Sequence, residues 1–331
     1  MSSLRSVNLR PAYCLIPALS ILLLTAWIVV SPPSTQRYLV ALIPSVAYHS
    51  SSPGIADITD DTVIDATSTN FPVHFVRLYP TAPGANDTLC WVQCVSLLSV
   101  LIYIKPSRIY IHTNYPDFWP FDTCNSLISN WTTVRLVRTR RRFVIGRHRL
   151  SGTAKTIRHE ADLAKLFILL KHGGITLDFD VYVLPKISRL VILLEKKYDC
   201  IATQEDASNT NIGFLACRKG AAYVKDILQH YVDDYRRTWV YNSGLVPMQL
   251  YKNTSEHRTS VYMDQKIAMN PSWYKKKDMW EHDDRVDWRD KPAYHSFFTD
   301  CSVTQKSLVT RNTSLFQLFS SIVQDGRLTR G

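Results

Sequence analysis

The sequence predicts a single α/β domain with a mostly parallel central sheet. Strand-like and helix-like segments alternate from residue 71 onward, and a two-glycine break separates a helix from a strand near the middle of the chain. Such alternation favours a parallel sheet that binds ligands at the carboxyl ends of its strands. The length of 331 residues and the hydrophobic content of 46% suffice for one folded domain with appendages, and they exclude a disordered chain.

The amino-terminal region predicts a membrane anchor. Residues 12–30 are almost uniformly apolar and uncharged, and as a helix they are long enough to cross a bilayer. Arg5 and Arg10 precede them, which favours a cytoplasmic tail at residues 1–11 and a type II topology. The alternative is a cleaved signal peptide, which the length of the apolar run and the Ser-Pro-Pro sequence after it disfavour.

The composition after the anchor indicates a stem and then a lumenal domain. Residues 31–70 are rich in Ser, Thr, Pro and Asp, so we interpret them as a stem that holds the domain 71–331 away from the membrane. Six cysteines beyond the anchor predict disulfides, although the sequence does not choose among the possible pairings. Four N-glycosylation sequons also favour lumenal exposure, and their asparagines are Asn86, Asn130, Asn253 and Asn312.

Hydrophobic patterning predicts the order of elements inside the domain. The predicted strands are 73–79, 108–112, 200–203 and 211–217, and the predicted helices are 88–103 and 221–237. Between the second and third of these strands, residues 135–149 contain seven arginines in a chain of formal net charge +11. We interpret this segment as a solvated loop. The alternative is a surface that attracts an acidic acceptor or lines a diphosphate pocket, whereas a lumenal location excludes nucleic acid.

The stretch from Ile157 to Pro185 contains the candidate metal-binding residues. Apolar residues at helical spacing predict a helix that ends at Gly173 and Gly174 and carries Asp162, Lys165 and His172 on its opposite, polar face. Residues 175–184 predict a strand. Side chains alternate along a strand, so Asp178 and Asp180 are expected on one face. Two adjacent carboxylates require a cation, and hard oxygen ligands favour Mg²⁺ or Mn²⁺, which commonly also bind substrate phosphates.

These residues resemble the glycosyltransferases that contain a DXD motif, a family that includes metazoan α-1,4-galactosyl and α-1,4-N-acetylglucosaminyl transferases and fungal α-1,6-mannosyltransferases. The family pattern is S-D-x-x-R followed by G-G-[IV]-Y-x-D-x-D. This chain matches it with Ala161, Asp162 and Lys165 and then with residues 173–180. Lys165 replaces the usual arginine, which keeps the charge but loses the bidentate fork, and Thr176 replaces the usual tyrosine.

The resemblance implies a GT-A-like fold, a nucleotide-sugar donor, a glycan or glycolipid acceptor and Mn²⁺ or Mg²⁺ as cofactor, in a single-pass Golgi membrane protein. It implies catalytic and metal-binding roles for Asp178 and Asp180. His295 is a further metal ligand by the same resemblance, or else an ordinary buried histidine. Donor-binding roles are implied for Asp162, Lys165, Gly173, Gly174 and Asn211. The alternative for Asn211 is to cap a turn.

The resemblance also implies the activity, which is transfer of a hexose with retention, from a uridine-linked donor in preference to guanosine-linked mannose. A glycosidase fits less well, because its two carboxylates flank the scissile bond from different elements. A phosphatase with an aspartyl nucleophile is disfavoured by Tyr182, which stands where its motif requires Thr or Val. A catalytically degenerate lumenal scaffold is the non-enzymatic alternative, motivated by Lys165 and Thr176.

Overall fold

The structure is a computed structural model that describes residues 71–142, 144–149, 157–238, 240–268, 276–281, 287–298 and 300–328. The predicted tail, anchor and stem, residues 1–70, lie outside the described residues, so their boundaries stay predictions. Within the described part of the chain, no helix combines the length and the apolar character needed to cross a bilayer.

The described residues form strands and helices in an alternating order. The strands are β1 (Val73–Arg77), β2 (Ile109–Thr113), β3 (Val134–Arg138), β4 (Val144–Ile145), β5 (His148–Arg149), β6 (Gly174–Leu177), β7 (Val181–Val183), β8 (Cys200–Gln204), β9 (Thr210–Cys217), β10 (Val261–Asp264) and β11 (Ala293–His295). The helices are α1 (Trp91–Tyr103), α2 (Ile157–His172), α3 (Ser188–Lys196), α4 (Ala222–Asp234), α5 (Val246–Asn253), α6 (Ser255–Ser260), α7 (Lys276–Glu281), α8 (Ser307–Thr310) and α9 (Ser314–Leu328).

Seven strands form the central sheet, in the order β10-β8-β9-β6-β1-β2-β3. Four of its six strand pairs are parallel, and β9 runs antiparallel to both of its neighbours. The prediction of a mostly parallel sheet is therefore confirmed. Because β6, β1, β2 and β3 run the same way, the residues that follow them meet at one edge of the sheet, and this edge carries the two aspartates.

Helices cover both faces of the sheet. On one face, Phe75, Leu177 and Phe214 pack in a continuous core with α1 and α9. On the other face, Leu215 packs with Leu163 and other apolar residues of α2 and α4. Successive strand residues point to opposite faces, so each strand of this three-layer arrangement contributes apolar side chains to both layers.

Helix α2 spans the residues that the spacing predicts and ends at Gly173, but its polar face differs from the prediction. Leu163 and Leu166 are fully buried, as the apolar stripe requires. Lys165, which periodicity places on the opposite, polar face, is also buried and is only 2% exposed. The reason is tertiary, because Lys165 contacts the backbone carbonyl of Ile212 in β9, so α2 is covered on that side too.

The predicted single strand over residues 175–184 is wrong. The chain leaves the central sheet after Leu177 and turns, with the Val181 amide donating to the Asp178 carbonyl at 3.1 Å. It then forms β7, which pairs antiparallel with β11 in a separate two-stranded sheet. Asp178 and Asp180 therefore come together on a turn between two sheets. Strand alternation does not explain their proximity.

The interpretation of residues 135–149 as a solvated loop is wrong in part: Arg135, Arg138, Arg140 and Arg147 are exposed, but the segment is not a loop. Its first part belongs to β3, the edge strand of the sheet, and residues 144–149 include the β4–β5 hairpin. Arg141 forms a bidentate ion pair with Glu160 of α2, with N–O distances of 2.9 and 2.7 Å. Arg142 is buried with its guanidinium 4.0 Å from the centre of the Phe167 ring. These two arginines bind the segment to α2.

Three disulfides confirm the prediction of an oxidised domain and settle the pairing that spacing left open. They are Cys90–Cys301, Cys94–Cys124 and Cys200–Cys217. The third joins residues that lie directly opposite each other on β8 and β9, whereas the first joins residues 211 positions apart in the sequence. Only the folded chain brings such distant cysteines together.

Candidate metal and donor site

Two glycines set the path of the chain between α2 and β6. Gly173 and Gly174 have φ angles of +71° and +108°, a region that favours glycine. A Cβ on Gly173 would lie 2.7 Å from the Lys219 amide nitrogen, and a Cβ on Gly174 would lie 2.4 Å from the Pro72 carbonyl oxygen. The pair therefore allows β6 to enter the sheet directly after the helix. Their predicted contact with a donor stays a prediction.

The turn after β6 brings Asp178 and Asp180 next to His295. The β7–β11 pairing sets His295 opposite Val181, and the Ser296 amide donates to the Asp180 carbonyl at 2.9 Å. The His295 Nε2 atom lies 3.2 Å from Asp180 Oδ1, and the ligand atoms of the three side chains all lie within 4.8 Å of one another. Residues more than a hundred positions apart thus form one cluster.

Lys165 holds the first of the two aspartates. Its Nζ lies 2.6 Å from Asp178 Oδ1 and 3.4 Å from both Asp162 Oδ1 and the Ile212 carbonyl oxygen. An ammonium group has three hydrogens and here meets three acceptors. The predicted contacts of Lys165 and Asp162 with donor hydroxyls stay predictions, whereas the contact of Lys165 with Asp178 belongs to the structure.

Burial and charge shift the pKa values of these groups in opposite directions. Burial raises the pKa of Asp162 to about 6, against the opposing effect of Lys165. Burial also acts to lower the pKa of Lys165, but Asp178 and Asp162 outweigh it and raise that pKa above its ordinary value. Burial opposes ionisation of Asp180 and His295, yet each charge stabilises the other, so the pKa of Asp180 is lowered and that of His295 is raised. Asp180 and His295 therefore favour each other's charged forms.

Asn211 lies behind His295. Its Oδ1 lies 3.0 Å from His295 Nδ1 and accepts a hydrogen bond from the Gly213 amide at 2.7 Å, while its Nδ2 donates to Glu205 Oε2 at 2.8 Å. Sequence reasoning missed Glu205, because it follows β8 with no motif around it. It also missed the role of Gly213, although the N-x-G spacing was the signal. The role of Asn211 in donor binding stays a prediction.

Thr176 lies apart from this cluster. It is fully buried in β6, and its hydroxyl donates to the Leu215 carbonyl of β9 at 3.0 Å. A tyrosine, which is usual at this position in the resembled family, would add a larger side chain at a position that is already fully buried.

The donor set of the cluster fits a divalent cation. Two carboxylates offer hard oxygen ligands, which suit Mn²⁺ and Mg²⁺, and one imidazole offers a nitrogen. The side chains of Asp178 and Asp180 are 39% and 21% exposed, so the cluster opens to solvent on the side of the aspartates. The other side is closed by Lys165 and His295, whose side chains are 3% and 6% exposed.

The sequence of this chain is similar to known proteins over part of its length. Residues 121–205 match the family model described as a glycosyltransferase sugar-binding region containing a DXD motif. Glucan organizing enzyme 1 of Cryptococcus neoformans var. grubii is 23% identical over 233 residues, which cover 68% of this chain and 58% of that protein. The chain thus spans less than two thirds of the length of this relative.

Among solved structures, the similarity to the glycosyltransferase GlyE of Streptococcus pneumoniae covers 77% of this chain and 60% of that one, at 12% identity and a TM-score of 0.44. The galactosyltransferase LgtC, solved with donor and acceptor sugar analogs, is matched over 76% of this chain and 95% of its own, at 13% identity and a TM-score of 0.40. Residues 121–205 are thus similar to the sugar-binding region of the glycosyltransferases that contain a DXD motif, and Asp178-Phe179-Asp180 is the D-x-D sequence inside the matched residues.

Proposed function

We propose that this protein is a metal-dependent glycosyltransferase of GT-A-like fold that moves a hexose from a nucleotide-diphosphate sugar to a hydroxyl of a glycan or glycolipid. A uridine-linked donor and retention of the anomeric configuration are the favoured forms, by resemblance to the family. The observation that carries the proposal is the convergence of Asp178, Asp180 and His295 at the carboxyl edge of the sheet, inside the matched region or packed against it.

The residues of the chain have distinct parts in this mechanism. Asp178, Asp180 and His295 would hold Mn²⁺ or Mg²⁺, which when bound supplies Lewis-acid stabilisation of the negative charge that develops on the departing diphosphate. Lys165 neutralises Asp178 from behind and fixes its orientation. The closed inner side of the cluster keeps water away from the inner faces of the ligands, which strengthens their charge interactions.

A second candidate function follows from the same contact. Because the Lys165 ammonium already lies 2.6 Å from Asp178, an internal cation compensates part of the charge that a metal would meet. A lumenal binding or scaffold protein of the same fold, without catalysis, is therefore the alternative. The name of the Cryptococcus neoformans relative, Glucan organizing enzyme 1, suggests a glucan as one acceptor class to include in tests.

The decisive experiment is hydrolysis and transfer by the full chain with a panel of nucleotide sugars, with and without Mn²⁺. Asp180→Asn is expected to reduce the rate by about 10²-fold to 10³-fold, the usual effect of removing one group that stabilises developing charge. Asp199→Asn is the matched control, because Asp199 is half exposed and its side chain lies 3.9 Å from Arg218 outside the cluster. Absence of Mn²⁺ binding, with no turnover of any donor, would favour the scaffold.

The proposed location is the Golgi membrane, with type II topology and a lumenal domain at residues 71–331. The apolar run at 12–30 supports the anchor, although it lies outside the described residues. Exposure of the four sequon asparagines and the three disulfides support an oxidising lumen. Endoglycosidase treatment of the protein from a secretory host, with a shift in electrophoretic mobility, tests this proposal directly.

A further inference from the structure

We propose that Asn211 is a positioning residue for His295, and that it fixes the ring with hydrogen on Nδ1 so that Nε2 is the nitrogen offered to a divalent cation. The inference rests on the metal-binding part of the proposed function. It gives Asn211 a role through another side chain, which is distinct from a contact with donor hydroxyls.

The neighbours of Asn211 leave its amide one orientation. The Gly213 amide, 2.7 Å away, can only donate, so it requires the oxygen of the side chain. The Glu205 carboxylate, 2.8 Å away on the other side, accepts and requires the nitrogen. Both partners therefore select the same arrangement, with Oδ1 toward His295 and Nδ2 toward Glu205.

This orientation decides which nitrogen of His295 keeps its hydrogen when the ring is neutral, the form that binds a metal. Asn211 Oδ1 lies 3.0 Å from His295 Nδ1, and an amide oxygen has no hydrogen to donate. The ring must therefore donate from Nδ1. In the neutral ring the lone pair is then on Nε2, which lies 3.2 Å from Asp180 Oδ1 and faces the cluster. In metal sites, the hydrogen bond made by one ring nitrogen sets which nitrogen binds the metal.

The ring is also confined from two further sides. Phe297 stacks on it with ring centroids 3.9 Å apart, and Phe297 has a φ angle of +54°, which a bulky residue rarely adopts. A Cβ on Gly213 would lie 2.6 Å from His295 Cε1 and 2.7 Å from Asn211 Oδ1. A side chain at position 213 would therefore displace the His295 ring or the Asn211 amide. Strained backbone and close packing of this kind are typical of pre-organised sites.

The test measures Mn²⁺ binding to the full chain by electron paramagnetic resonance. Titration gives the dissociation constant, and electron spin echo modulation detects a histidine nitrogen on the bound ion. Asn211→Leu is expected to weaken binding by about 10-fold to 100-fold, the usual cost of losing a partner behind a metal ligand. The nitrogen signal should be lost, as in His295→Ala. Asn211→Asp keeps an acceptor for Nδ1 and should retain the signal.

Two further variants keep the outcome clear. Asn209→Leu is the matched control, since Asn209 bonds Asp206 in the same segment and should leave affinity and signal unchanged. If Asn211→Leu does not fold, Gly213→Ala is used instead, because its Cβ displaces the ring. Binding with an unchanged nitrogen signal in Asn211→Leu or Gly213→Ala would overturn the inference alone. A wild-type chain that binds no Mn²⁺ would overturn the proposed metal site, and the inference with it.

Discussion

The ion pair between Arg141 and Glu160 connects the arginine segment to the helix that carries Asp162 and Lys165. The guanidinium donates two short hydrogen bonds to the carboxylate, at 2.9 and 2.7 Å. The side chains of Arg141 and Glu160 are only 9% and 0% exposed. A third bond runs from the Arg141 guanidinium to the Pro80 carbonyl at 3.1 Å. We predict that Glu160→Gln destabilises the protein strongly, because it removes the carboxylate that forms two hydrogen bonds with a buried guanidinium.

The expected loss of stability in Glu160→Gln follows from the burial of the Arg141–Glu160 pair. Removing one partner of a buried ion pair typically costs about 3 to 5 kcal/mol. The glutamine oxygen still accepts one hydrogen bond, so the loss should lie near the lower end, at about 3 kcal/mol. Replacing both Arg141 and Glu160 by Met should cost less than either single replacement, since neither member of the pair is then left buried without the other. Asp117→Asn serves as the matched control, because Asp117 pairs with Arg138 of β3 at 3.3 Å while 93% exposed.

Guanidinium denaturation of the full chain at pH 7, followed by tryptophan fluorescence, provides the measurement. The control should lose less than about 1 kcal/mol, as exposed pairs do. The reasoning is refuted if Glu160→Gln and Asp117→Asn lose the same stability. It is equally refuted if the double replacement by Met costs more stability than either single replacement.

Two further predictions concern the buried polar groups of the sheet. Burial and, to a smaller extent, the charge of His172 lower the pKa of His74 to about 3, and burial holds the pKa of His112 well below its ordinary value. The unfolded chain takes up protons near pH 6.5 that these folded rings cannot accept, so stability falls as the pH decreases, by about 1.4 kcal/mol for each ring between pH 7.5 and 5.5. His112→Asn should reduce the loss between these two pH values by that amount, and an unchanged pH dependence of the denaturation midpoint would contradict the assignment. Thr176→Tyr should cost about 1 to 3 kcal/mol by overpacking a fully buried position, measured as a lower melting temperature than that of Thr123→Tyr at an exposed site; equal melting temperatures would show that position 176 has space.

Much of the fold followed from local patterns in the sequence. Apolar spacing predicted α1, α2 and α4, and runs of β-branched residues predicted β1, β2, β8 and β9, because burial of one stripe or face imposes a period on the sequence. The helix end at Gly173 was predictable since few other residues reach its backbone conformation. The D-x-D sequence and its surroundings resemble the glycosyltransferase family whose model matches residues 121–205.

The errors arose where contacts distant in the sequence override local pattern. Residues 175–184 look like one strand because both halves are apolar and β-branched, yet the second half pairs with β11. Lys165 looks solvent-exposed by periodicity, yet β9 covers it. The arginines at positions 141 and 142 look like a solvated run, yet Glu160 and Phe167 are partners that no local pattern shows.

The sequence by itself determined the alternation of elements, the two-glycine break and the pair of aspartates that lies after it. The tertiary structure alone decided that these aspartates sit on a turn, that Lys165 compensates Asp178, and that His295 completes the cluster with Asn211 behind it. The physical reason is the distance along the sequence over which each effect acts. Backbone preferences and hydrophobic periods act over a few residues and are written locally, whereas the charge and hydrogen-bond partners of a buried polar group come from whichever strand or helix the fold packs against it.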